Sequence, residues 1–318
     1  MQPKTKLTGY LHPVYAESFS AIASPRELPY CGGWLLERLI PGSNLRDGMG
    51  CYPMFACRDW ARVPVDLSLL VDRMVSVSLV TDPFGEFTGD DLRRWFDVVL
   101  PHKQHYVIDL DLGPNQPMSR SHQRNTARAL SRVQLETCPE PLQMLQEWIG
   151  LYNHLVERHR ITGIKAFSAE GFRKQLGVPG VKMFKASSNG RLVGLHLWYL
   201  HDEVAYGHLG ATSAYGSELM ASYALYWYAI QQLRGQVRWL DLGGGAGVSE
   251  PASSDGLRRF KAGWSTGVRQ AYLCGRILQP EAYATLVSKN GVGRTTYFPA
   301  YRLGEFADLP AASAEKKC

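Results

Sequence analysis

The spacing of hydrophobic positions changes several times along the chain. Ser76-Val77-Ser78-Leu79-Val80 alternates in part and stops at Thr81-Asp82-Pro83-Phe84-Gly85, which predicts a strand and a turn. Thr88-Gly89-Asp90-Asp91 then opens a helix whose Leu92, Trp95, Phe96 and Val99 are spaced for one face. Residues 106–110 read as a strand, and Gly113-Pro114-Asn115-Gln116-Pro117 breaks the chain after it. Beyond the break the spacing predicts a helix over 119–133 with Ala127, Leu130 and Val133 inward. A longer helix over 140–159 carries Leu142, Leu145, Ile149, Tyr152 and Val156, and a short one starts at Ser168.

The period then drops to two. Strands are predicted over 181–186, 191–200 and 203–210, the last two joined by His201-Asp202. A helix over 217–233 follows. A buried strand over 237–242 ends at Gly243-Gly244-Gly245, which opens a polar loop running to Gly256. From Ile161 onward the order is α, β, β, β, α, β. That order predicts an α+β or α/β layer fold with a mostly antiparallel sheet. No internal repeat or low-complexity tract is visible, and a short charged tail over 310–318 is expected to fray.

Composition supports a globular chain. Of 318 residues, 45% are hydrophobic and 20% charged, enough apolar material for a core. No apolar run approaches the ~18–20 residues of a membrane span, and no signal core follows the N-terminus. A soluble, cytoplasmic protein is expected. The six cysteines are scattered without a CxxC pair, so they are expected to be small buried hydrophobes rather than zinc ligands or disulfides.

Charge is uneven. Residues 1–116 hold 11 basic and 14 acidic side chains, and the remainder 24 basic and 15 acidic. A basic C-terminal part fits a phosphorylated cofactor, a nucleotide-linked substrate or RNA, and fits equally a merely solubilising surface. Arg120, Arg124, Arg128 and Arg132 recur every four residues, which puts four guanidiniums along one helix face. Like charges at that spacing disfavour an isolated helix, so the face suits an anion, or else acidic partners from other segments.

Other signals are negative. Gly243 and Gly245 lack the third glycine of a dinucleotide fingerprint, because Val248 holds that position. The glycines instead suit a tight turn close to another backbone or a ligand, with Asp241 at the strand end beside them. His102 and His105 are three apart without a third ligand, so no metal site is expected. His196 and His208 fall in strands, where a histidine is usually satisfied by a neighbour. His208 lies nearer its strand end and is the better candidate for chemistry. No nucleophile elbow or Cys–His pair is visible. Most of the aromatic cluster from Tyr206 to Tyr228 belongs to a core, while Tyr215 sits in a Gly/Ser-rich connection that could face a ligand.

Four ordered segments resemble FemABX-type transferases. Arg124-Asn125-Thr126-Ala127-Arg128-Ala129 is similar to their basic helix. His208-Leu209-Gly210-Ala211-Thr212-Ser213, with the helix from Ala221 to Trp227, resembles their second acyltransferase-like domain. Trp239-Leu240-Asp241-Leu242-Gly243-Gly244 resembles their strand and glycine turn. Gly256-Leu257-Arg258-Arg259-Phe260-Lys261-Ala262-Gly263-Trp264 resembles their Gly-Leu-x-x-Phe-Lys-x-x-Phe segment, with Trp264 in place of the last aromatic. The similarity covers about 105–275.

The resemblance implies a GNAT-type acyltransferase fold, α+β with mixed, largely antiparallel sheets and two GNAT-like halves, 1–116 and 117–309. It implies acyl transfer to an amine of a small molecule or cell-envelope precursor. FemABX enzymes draw on aminoacyl-tRNA, and BioF2-like relatives are taken to use acyl-CoA. The connection Ala211-Thr212-Ser213-Ala214-Tyr215-Gly216-Ser217 lacks the pyrophosphate motif of acetyl-CoA enzymes, which tilts the donor toward aminoacyl-tRNA, with tRNA then a partner. Lys261, Asp241 and His208 are the expected catalytic residues. Arg120, Arg124, Arg128, Tyr206, Tyr215, Arg258, Arg259 and Trp264 are expected to bind donor or substrate. The alternative is a non-catalytic phosphate- or RNA-binding module on the same fold.

Overall fold

The computed structural model describes residues 7–113, 118–159, 163–165, 167–245, 254–293 and 295–305. The expected break over 114–117, the loop over 246–253 and the tail over 310–318 lie outside the described residues. The strands are β1 (Ser24–Leu28), β2 (Gly33–Leu39), β3 (Arg46–Gly50), β4 (Ser76–Val80), β5 (Val98–Asp109), β6 (Gln134–Cys138), β7 (Val181–Ser188), β8 (Arg191–His201), β9 (Val204–Thr212), β10 (Trp239–Asp241) and β11 (Gly267–Ile277). The helices are α1 (Pro13–Glu17), α2 (Val63–Ser68), α3 (Gly89–Trp95), α4 (Arg120–Leu130), α5 (Leu145–His159), α6 (Ala169–Leu176), α7 (Ala214–Glu218), α8 (Ala221–Leu233), α9 (Ser254–Ala262) and α10 (Pro280–Lys289). The α+β class is the observed one.

Two compact units form, each discontinuous in sequence. The first takes described residues within 1–9, 103–159 and 175–270, the second those within 10–102, 160–174 and 271–318. This division differs from the expected one at 117. The physical reason is strand pairing: residues 107–109 of β5 pair with β10, while residues 273–277 of β11 pair with β4.

In the first unit the strand order is β6-β7-β8-β9-β10-β5, antiparallel except for the parallel β9/β10 step. α8 packs on β6 to β9 together with α4, and α5 packs against β8 and β9. β8 is buried from Val193 to Tyr199, which explains why its sequence reads as a continuous apolar run rather than an alternation. The core gathers Phe184, Trp198, Leu225, Leu240 and Trp264.

The second unit repeats the pattern. β1, β2 and β3 form an antiparallel meander, β3 and β4 are parallel, and β11 closes antiparallel on β4. Its core centres on Leu35, Phe55, Trp60, Val77 and Leu79. Asp47, fully buried on β3, accepts hydrogen bonds from Tyr301 and Arg302, which pins the last described turn to the sheet.

Several local expectations shift. α3 begins with a Thr88/Asp91 capping box and ends at Trp95, so Phe96 caps it and Val99 belongs to β5. α4 buries His122, Thr126 and Ala129, and Ala127 is exposed. The helix expected from 140 begins as a 3-10 turn over Pro141–Met144, which leaves Leu142 exposed. Trp148, Leu151 and Tyr152 supply the buried face of α5. The helix expected over 217–233 is two helices, because Met220 adopts φ +60 between α7 and α8. Four of the cysteines are buried and Cys57 is half-buried, all five free, while Cys318 lies outside the described residues.

Candidate active site

β10 ends at Asp241, which is 2% exposed and organises the turn after it. Its Oδ1 accepts the Gly243 amide at 2.7 Å, and its Oδ2 accepts His105 Nδ1–H at 2.8 Å. A carboxylate only accepts, so the His105 proton sits on Nδ1. Gly243 has φ +73, the left-handed region that favours glycine. At Gly244 a Cβ would come within 3.0 Å of Lys103 Cβ and 3.2 Å of the Gln104 carbonyl. The glycines therefore serve a tight turn passing close to another backbone.

The turn presents its carbonyls to two ammonium groups. Lys261 Nζ donates to Gly244 O at 2.7 Å and Lys103 Nζ to Gly245 O at 3.1 Å. Burial pushes the Lys261 pKa down to about 8. The Asp241 carboxylate opposes that shift and the Lys103 charge adds to it. At neutral pH Lys261 is still an ammonium.

Lys261 lines a cavity of about 530 Å³. The parallel pairing of β9 with β10 covers only 204–206 against 239–241, and β9 runs on to Thr212. All six residues from Gly207 to Thr212 line the cavity, so it opens where the two parallel strands part company. Leu195, Leu225, Leu242 and Phe260 give it apolar walls, and His196, Tyr223, Tyr226 and Lys261 its polar groups. An apolar cleft with a few convergent polar groups is the usual form of a small-ligand site.

The expected site residues separate on this geometry. Lys261 lines the cavity, and Asp241 supports both it and the glycine turn. His208 contributes to the wall, but its Nε2 meets Gln175 Oε1 at 3.2 Å and its ring packs on Tyr199, 4.7 Å between centroids. Burial pushes its pKa down to about 3. Tyr206 is buried on β9 opposite Tyr199, and Tyr215 is exposed on α7; neither is among the lining residues. Trp264, expected against the donor, is 3% exposed in the core, stacked on Tyr226. Arg258 and Arg259 are exposed on α9, with Arg258 Cγ packed over Gly245. Arg120, Arg124, Arg128 and Arg132 are all exposed, without an ion-pair partner among the described residues.

Four residues that sequence reasoning passed over shape the site. His196 lines the cavity from β8. Lys103 and His105, on β5, hold the glycine turn and Asp241. His122, on α4, hydrogen-bonds Phe260 O beside Lys261. The one available signal was the placing of His196 inside a wholly apolar strand, where a polar ring needs a reason. No group of three His, Cys, Asp or Glu among the described residues is arranged to hold a metal, and no described helix is long and apolar enough to cross a membrane.

Comparison with known proteins gives the same architecture. Residues 119–261 match the acetyltransferase (GNAT) domain family. FemX is similar with a TM-score of 0.65 at 11% identity, over 86% of this chain and 93% of that one. The C-terminal domain of a proposed lysylphosphatidylglycerol synthetase from Agrobacterium fabrum has a TM-score of 0.62 at 12% identity, over 90% and 91%. L-PGS from Bacillus licheniformis has 0.57 at 14%, over 92% and 100%. No curated protein sequence matches significantly. The match over 119–261 is to the acetyltransferase (GNAT) domain family, and the chain shares its fold with FemX and with the lysylphosphatidylglycerol synthetase domain.

Proposed function

We propose that this chain is an N-acyltransferase that moves an acyl or aminoacyl group from an activated donor to an amine of a small-molecule or cell-envelope precursor. The observation that carries this reading is the Lys261 ammonium on the wall of the cavity where β9 and β10 separate. An ester or thioester donor needs no nucleophilic side chain. The amine attacks the carbonyl directly, and the protein orients the two reactants and stabilises the oxyanion. Lys261 is suited to that second task, since it is charged, half-buried and fixed by Gly244 O.

Aminoacyl-tRNA is the favoured donor and acyl-CoA the next. The start of α7, where an acetyl-CoA enzyme offers free backbone amides, is occupied by its own cap: Ser213 Oγ accepts Gly216 N–H at 3.0 Å. The unpaired arginines of α4 and the exposed Arg258 and Arg259 supply positive surface for a polyanionic donor. One structure of similar fold is named as a lysylphosphatidylglycerol synthetase domain, a name that describes a lysyl-bearing product.

Purified protein mixed with aminoacyl-tRNA or acetyl-CoA, and with hydroxylamine as a generic amine, tests the reading. Release of free tRNA or free thiol that depends on both the amine and the protein, above the uncatalysed reaction with hydroxylamine, supports it. Donor binding without turnover favours instead a non-catalytic phosphate- or RNA-binding module, the role that the unpaired arginine face would then serve alone.

A further inference from the structure

Four histidines are buried among the described residues. His105 is bonded to Asp241, His122 to Phe260 O and Ser119, and His208 to Gln175. His196 differs: it is 4% exposed, lines the cavity and has no hydrogen-bond partner for either ring nitrogen among the described residues. Its nitrogens are not among the wholly buried unpaired polar atoms of the described residues, so the imidazole reaches the space of the cavity, where a ligand can meet it.

We infer that His196 contacts substrate: it is a neutral imidazole that donates a hydrogen bond to the carbonyl oxygen under attack, beside the Lys261 ammonium. The inference rests on the acyl-transfer reading above and names a second group for the same site.

The ring is held in one place. Trp198 lies 4.8 Å and Tyr226 4.6 Å from it, centroid to centroid, both rings tilted to the imidazole and 6.1 Å from one another. Across the strand pair stands Gly210, itself a lining residue, where a Cβ would sit 3.1 Å from His196 Cδ2. Glycine there leaves room beside the imidazole, and the tryptophan and tyrosine rings pack against it.

Its charge state follows from its surroundings. Burial, and then the Lys261 ammonium, push its pKa down to about 3, so it is neutral at working pH. A base that weak does not hold the proton of an attacking amine. It still offers one N–H, and a neutral histidine polarising a carbonyl is an established catalytic device. An imidazolium would repel Lys261, whereas a neutral N–H and an ammonium converge on one oxygen without conflict.

The step balances without consuming either residue. The amine nitrogen forms a bond to the donor carbonyl carbon, and the π pair moves onto the oxygen held by His196 and Lys261. The carbonyl then re-forms as the C–O bond to tRNA or the C–S bond to CoA breaks. The leaving oxygen or sulfur departs with the proton that the amine gives up through solvent.

The test uses the full chain, with aminoacyl-tRNA or acetyl-CoA as donor and hydroxylamine as amine. His196→Phe keeps an aromatic ring against Trp198 and Tyr226 and removes both nitrogens. The expected result is a kcat lower by about 10²–10³, a donor KM within threefold of wild type and a melting temperature within a few degrees. His196→Asn or His196→Gln, which restores an N–H, should recover at least tenfold of that loss. Lys261→Met combined with His196→Phe should cost less than the product of the single effects, because both donors serve one oxygen. Wild-type kcat in His196→Phe overturns the inference while leaving the transfer reading intact. If His196→Phe does not fold, a Gln or Asn variant whose loss multiplies fully with that of Lys261→Met overturns it. A wild-type protein that turns over neither donor overturns the transfer reading itself, and this inference with it.

Discussion

His122 Nε2 donates to the carbonyl oxygen of Phe260 at 2.8 Å, tying the first turn of α4 to the last turn of α9 one residue before Lys261. The carbonyl can only accept, so the proton is on Nε2 and Nδ1 is left to pair with Ser119 Oγ at 2.8 Å. Burial lowers the His122 pKa, with the bond to Phe260 acting against that shift. The Ser119 amide also bonds Gly263 O, and the His122 ring meets Tyr223 and Trp264 edge-on. The helix that carries the arginines and the helix that carries the lysine are thus joined by hydrogen bonds and ring contacts.

That packing leaves no room at Gly263, where a Cβ would fall 2.0 Å from His122 Cε1. Gly263→Ala is expected to cost about 1–3 kcal/mol of stability by overpacking and to lower donor turnover by displacing Lys261. His122→Ala makes space for the methyl group, so the double variant should be more stable than the sum of the two single changes. Thermal unfolding of the four proteins measures this. Additive losses would show that the two positions do not press on one another.

Lys261→Met retains most of the side-chain volume and removes the charge. Donor turnover should fall at least tens of fold, toward the roughly 10²–10³ typical of a missing oxyanion donor, with the melting temperature within a few degrees. In the wild type the ammonium is lost as pH rises through about 8, so turnover should decline above that pH. Stability moves the other way. The unfolded lysine keeps its proton up to its ordinary value of 10.5, so between about 8 and 10.5 the unfolded state binds more protons, and stability rises with pH. Both trends should disappear in Lys261→Met. An unchanged pH–rate profile in that variant would remove Lys261 from the reaction.

The α4 arginines recur about 6 Å apart along the helix axis, at four residues per step. Arg124→Gln with Arg128→Gln should weaken binding of aminoacyl-tRNA and make it less sensitive to salt, by roughly 0.7–0.9 in slope for each phosphate that an arginine no longer neutralises. Both side chains are exposed without ion pairs among the described residues, so the melting temperature should hold. A fall in melting temperature with affinity and salt slope unchanged would make them structural.

In the second unit, Asp47 accepts Tyr301 Oη–H at 3.0 Å and bonds the Arg302 guanidinium through both oxygens, with Asp47 and Arg302 almost wholly buried. Asp47→Asn leaves a buried guanidinium without its closest counter-charge, a change that typically costs about 3–5 kcal/mol. A clear drop in the urea midpoint is expected. Wild-type stability would show that the Arg302 pairing with Glu305 suffices by itself.

Much of the first unit was legible in the sequence, because its elements carry local signals. The β7, β8 and β9 meander shows in apolar and β-branched runs bounded by Ser-Asn-Gly and His-Asp turns, and α4 shows in its four-residue arginine spacing. The Lys261 segment and the glycine turn were visible as a pattern resembling a known family. β1, β2 and β3 were not: the sheet accepts Glu37 inward because Arg26, Arg46 and Arg73 meet it there, and nothing local announces those partners. The helical form of α9 was not read from the sequence, since its hydrophobic anchor, Phe260, gains value only against Tyr223, Tyr226 and His122.

By itself the sequence determined the α+β class, the acyltransferase resemblance, the exposed arginine face and the lysine worth testing. Those follow from periodicity and from ordered residue types, which act over a few positions at a time. The tertiary structure alone decided which strand closes which sheet, because pairings such as β5 with β10 and β11 with β4 join segments far apart in the chain. It alone separated the histidines as well. His196 and His208 lie in neighbouring strands and look alike in sequence, yet one packs against Gln175 and Tyr199 while the other faces the cavity unpaired. Burial and hydrogen-bond satisfaction are properties of the three-dimensional neighbourhood, and a side chain's chemistry follows from them.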